Sequence, residues 1–88
     1  MKTAKALGFK KGDFVYTGLF PGIIVSSVNT YTPLCEVWGM DHEMGSVYAH
    51  DLCHMTYEHF IALAARYGFD GNVYSQEAKD ALLKQKEN

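Results

Sequence analysis

The hydrophobic pattern changes period once, at Thr56. Before it, β-branched and aromatic residues come in short runs divided by Gly, Pro, Asn and Asp, which is how strands and turns read. After it, Tyr57, Phe60, Ile61 and Ala64 recur at i, i+3, i+4 and i+7, which is one apolar face of a helix. Strands followed by helices, without alternation between them, point to an α+β arrangement rather than a βαβ fold. With 88 residues the chain, 1–88, makes one domain.

The strand region reads in order. Gly12-Asp13 marks a turn before Phe14-Val15-Tyr16, and Thr17 to Gly22 is a loop punctuated by Gly and Pro. Ile23 to Val28 is the strongest strand signal, since its β-branched side chains suit a pleated surface. Pro33 introduces Leu34-Cys35-Glu36-Val37-Trp38, in which Leu34, Glu36 and Trp38 share one face and Cys35 and Val37 the other. Gly39 to Gly45 is a polar hairpin connection, and Ser46 to His50 is the return strand. Asp51-Leu52 reads as a tight turn or one turn of 3₁₀ helix before a last short strand at Cys53-His54-Met55. Four or five short strands at this spacing predict a barrel or sandwich. Their order resembles an SH3-like barrel. The expectation is an SH3-like small antiparallel β-barrel over 12–55, preceded by a loosely docked basic arm over 1–11 and followed by two C-terminal helices within 56–88.

Thr56 is a good N-cap, Glu58 favours the first turn, and Gly68 stops the helix at C′ with Phe69 placed for the accompanying apolar contact. Asp70-Gly71-Asn72 reads as a turn. Ser75 caps a second helix from Gln76 to about Lys86, whose sparse stripe of Ala78, Ala81 and Leu82 predicts light docking.

Charge is distributed unevenly. No Lys or Arg occurs between Gly12 and Ala65, a stretch that holds Asp13, Glu36, Asp41, Glu43, Asp51, Glu58 and all four histidines. Nucleic-acid affinity comes largely from Lys and Arg neutralising phosphates, so such a barrel is poorly equipped for it. An acidic surface steers instead toward basic partners. The N-terminal residues lack an apolar run typical of a signal peptide, and two cysteines, Cys35 and Cys53, suggest reduced thiols. The expected location is cytoplasmic, with no membrane span.

Two groups of residues attract a functional reading. Asp41, His42 and Glu43 share one hairpin tip; with Asp51, Tyr31 and Trp38 they are the candidate partner-binding set, against the alternative that the charges serve solvation. His50, Cys53 and His54, with His59 and Cys35 nearby in the expected fold, offer imidazole and thiolate ligands for a metal, although their spacing matches no standard zinc pattern. Cysteine catalysis by Cys53 and His54 is disfavoured, because neighbours on a strand point to opposite faces.

Gly12-Asp13-Phe14-Val15, Gly22-Ile23-Ile24-Val25 and Gly45-Ser46-Val47 resemble the Gly-Asp-x-Val, Gly-x-Ile-Val and Gly-Ser-Val runs of the small plasmid-borne dihydrofolate reductases. That resemblance implies an SH3-like barrel in a tetramer around a central pore. In that family Gly-Ser-Val continues as Gln-Ile-Tyr, which contacts folate and nicotinamide. Here Val47 is followed by Tyr48-Ala49-His50, and the barrel has no lysine for anionic substrates.

The sequence therefore predicts a non-enzymatic protein–protein interaction module without a cofactor. Its acidic barrel would bind a basic protein surface, with a small inhibitor of a basic or nucleic-acid-binding partner as one form. Alternatives are a nucleic-acid-binding barrel using Lys2, Lys5, Lys10, Lys11 and the aromatics Tyr16, Phe20, Tyr31 and Trp38, or a small metal-binding protein. A barrel this small leaves edge strands unpaired, which predicts a homodimer.

Overall fold

The computed structural model describes residues 2–39, 44–69 and 75–86. Five strands form one antiparallel sheet: β1 (Phe14–Tyr16), β2 (Pro21–Ile24), β3 (Leu34–Gly39), β4 (Met44–Tyr48) and β5 (Cys53–His54). Their spatial order is β4-β3-β2-β1-β5, and the sheet curls into a half-barrel. One 3₁₀ turn, Ala49–Asp51, carries the chain from β4 to β5. Helices α1 (Tyr57–Arg66) and α2 (Gln76–Lys86) follow, so the fold is α+β as expected. The expected hairpin tip at 41–43 and the turn at 70–72 lie outside the described residues.

Strand alternation in this sheet sends apolar residues to two cores, not to one core and solvent. Phe14, Ile23, Val25 and Trp38 meet Phe60, Ala64 and Ala78 of the helices. Val15, Ile24, Cys35 and Val37 meet Ala4, Phe9, Ala49 and Leu52. The register explains the sorting: Phe14 pairs with Ile23 and Ile23 with Trp38 along one face, whereas Ile24 pairs with Val37 along the other.

The second core corrects the expectation for the N-terminus. Residues 2–11 form no loose arm. Ala4 and Phe9 are buried, the Ala4 N–H donates to the Thr32 carbonyl, and the Gly12 N–H donates to the Ile24 carbonyl. The segment closes the open side of the curled sheet with turns, which is why no periodicity announces it.

The long strand expected over 23–28 also differs. It begins at Pro21, a tolerated position because a first strand residue can lack the ladder N–H. It ends early because the Ser26 hydroxyl accepts the Glu36 N–H at 3.1 Å, replacing a backbone acceptor. Between β2 and β3 the backbones press together at Gly22, where an added Cβ would lie 2.8 Å from the Trp38 carbonyl oxygen.

The helix ends follow the sequence closely. Thr56 Oγ1 accepts the His59 N–H at 3.1 Å. At the other end Gly68 has φ +81°, its N–H donates to Ala65, and the Phe69 N–H donates to Ala64, the Schellman pattern. Phe69 then packs edge-on against Trp38 and Phe60. Ser75 Oγ accepts the Ala78 N–H and begins α2, whose Ala78 is fully buried.

Candidate functional site

Two surfaces bring chemistry together. The first is the outer face of β3 and β4. Leu34 and Glu36 point outward on β3, and the register sets Leu34 opposite Tyr48 and Glu36 opposite Ser46. Leu34 and Tyr48 remain 38% and 45% exposed. The Tyr48 ring stacks on His50, with centroids 5.4 Å apart, and His50 Nε2 lies 3.4 Å from Asp51 Oδ1. Tyr31, on the loop leading into β3, is 90% exposed. Its position is set by Asn29, whose Oδ1 accepts the Tyr31 and Thr32 N–H groups. β4 is an outermost strand and holds no Lys, Arg or Pro.

Of the residues proposed for partner binding, Tyr31 and Asp51 are therefore exposed. Trp38 is not: it is 1% exposed and belongs to the helix-side core, a correction to its expected place at a contact. Alternation marked its face correctly, but α1 and Phe69 cover that part of the face. Asp41, His42 and Glu43 lie outside the described residues.

The structure does not gather His50, Cys53 and His54 as a metal set. Among the described residues no three His, Cys, Asp or Glu side chains come together as a candidate ligand group. The register explains why. His54 pairs with Val15 and Cys53 with Tyr16, so the two neighbours leave β5 on opposite faces. His54 stacks on Phe9 at 4.2 Å and its Nε2 lies 3.2 Å from Asp13 Oδ2. An ionised carboxylate only accepts, so Nε2 is the donor. Asp13 Oδ2 also accepts the Lys10 N–H at 3.0 Å. This cluster fastens the N-terminal segment to the last strand.

Both thiols are free. Cys35 is buried, and β2 and β1 stand between its strand and that of Cys53. Burial pushes the Cys35 thiol upward, and the Asp13 charge adds to the shift.

The second surface is a cleft of about 350 Å³ between the β5 edge and α1, lined by Tyr16, Cys53, His54, Met55, His59 and Leu63. A smaller hollow of about 220 Å³ adjoins it, lined by His59, Ala62, Leu63 and Arg66. These last four fall at i, i+3, i+4 and i+7 on α1, a second helical stripe beside the buried one. That spacing could have revealed the cleft, but sequence reasoning followed the more apolar stripe and left Met55, Leu63 and Arg66 out of any site.

No protein-family model matches the chain, and no curated protein or solved structure is significantly similar to it.

Proposed function

We propose that the protein is a non-enzymatic binding module whose outer β3–β4 face docks a basic protein surface. The observation that carries this reading is the exposed pair Leu34 and Tyr48 set directly opposite each other, with Glu36 beside them on the same face. Exposed aromatics supply binding energy at interfaces, and the uncompensated acids supply direction toward cationic partners. The nucleic-acid alternative is weaker because Trp38, one of its four stacking aromatics, is buried.

The half-barrel fits the SH3-like class. A meander whose last strand returns to β1 after a 3₁₀ turn supports that assignment. The class itself hosts many functions and does not choose among them. The open β4 edge supports self-association as well, since it lacks the charges and prolines that usually blunt such edges. A cytoplasmic location agrees with two free thiols. Among the described residues no helix is long and apolar enough to cross a membrane.

The test is affinity capture from cells that make the protein, with wild type and Tyr31→Ala/Tyr48→Ala as parallel baits. A basic partner retained by wild type, lost with the double variant and released by salt supports the reading. Equal retention by both baits would place the contact elsewhere, and steeply salt-dependent binding to DNA or RNA would replace the reading altogether.

A further inference from the structure

The two hollows along α1 share His59 and Leu63, so they form one continuous groove with unlike ends. At the wide end stand Tyr16, Met55 and Leu63, together with the Cys53 thiol. These present a ring, a thioether and an aliphatic chain, all suited to a flat apolar body. At the narrow end stands Arg66, which is the one Lys or Arg between Lys11 and Lys79. Among the described residues Arg66 has no carboxylate within ion-pair distance, whereas Asp13, behind His54, is already engaged by His54 Nε2 and by the Lys10 N–H. With no carboxylate partner among the described residues, this guanidinium offers its fork of donors, beside the His59 imidazole, to an acceptor.

We propose that this groove binds a small carboxylate with an aromatic body, the ring lying on Tyr16, Met55 and Leu63 and the carboxylate reaching Arg66 and His59. The wide end, at about 350 Å³, is at the lower end of small-molecule sites, which suits a body of about two fused rings. Arg66, the one Lys or Arg lining the groove, favours an anion over a cation or a neutral ring at that end. The site lies along α1 and β5, away from the exposed β3–β4 pair, and stands whether or not that face binds a protein.

The probe is 2-naphthoate, with the neutral 2-naphthalenemethanol as its control. Titration of the labelled full chain, followed by amide chemical shifts, should move Tyr16, Met55, Leu63 and Arg66 with naphthoate. Arg66→Gln, an exposed-surface change, should weaken naphthoate roughly tenfold, as loss of a charged hydrogen bond does. It should leave the alcohol's weaker binding unchanged. Cys53 gives an independent readout: naphthoate should slow its alkylation in wild type and much less in the variant. Equal binding of naphthoate and the alcohol would overturn the carboxylate assignment. Absence of shifts and of Cys53 protection at millimolar naphthoate would overturn the site.

Discussion

Phe60 joins the two layers of the helix-side core. It is fully buried, tilts against Phe14 with centroids 4.8 Å apart, and meets Phe69 edge-on. Phe60→Ala should cost about 3–5 kcal/mol, the sum of lost transfer energy and a retained cavity. Urea unfolding checks this; a loss below about 1 kcal/mol would mean the site collapses around the smaller residue. At this scale the sequence was partly legible. Thr56 and Gly68 have local jobs, a side-chain acceptor and a positive φ, and local jobs show in the residue type. Trp38 was misplaced because alternation tells which face a residue takes, not whether that face is covered. In a sheet packed on both sides, the alternation marks two interiors.

Among the elements, the N-terminal segment was least legible. Ala4 and Phe9 are core residues in a run of turns, and Phe9 lies flat on His54. The Cys35 thiol shares that core. Phe9→Ala should open it, so that alkylation of Cys35 becomes measurable under native conditions; in wild type Cys53 should react first and Cys35 only after unfolding. Equal Cys35 protection in both proteins would show that the segment does not seal this core. The cleft was half legible: the stripe of His59, Ala62, Leu63 and Arg66 marks its helical wall, but the other wall exists only once α1 lies beside β5, which no local pattern encodes.

Helix α2 carries its own pH dependence. Hydrogen bonding by its own backbone N–H, then by the Ser75 hydroxyl, holds the Glu77 carboxyl below the ordinary carboxylate range, and the Lys11 charge assists. A carboxylate lowered in the folded state contributes stability above its unfolded pKa and loses it as pH falls through the folded one. Acidification below the ordinary carboxylate range should therefore loosen the start of α2 before α1. Amide exchange resolved by residue would show faster exchange at Ala78 and Lys79 than in α1. Glu77→Gln should remove that difference in acid sensitivity.

For the molecule as a whole, charge separation matters more than net charge, which is only −2. Glu36 and Asp51 lie exposed at the same end as Tyr48 and His50, while the lysines sit in the N-terminal segment and α2. Glu36→Lys with Asp51→Lys should slow association with a basic partner and flatten its salt dependence, with little change in dissociation. Stopped-flow association at two ionic strengths measures this. An unchanged rate would assign the acids to keeping an aromatic-rich protein in solution.

The bond between Asp13 and His54 spans 41 residues of chain. During synthesis, Phe9 and Asp13 leave the ribosome well before their partner on β5 exists. Until the last strand emerges, the N-terminal wall over Val15, Ile24 and Val37 is held by the Ala4–Thr32 and Gly12–Ile24 bonds and lacks its fastening to β5. Slow translation before β5 would lengthen that interval. It ends when His54 closes over Phe9.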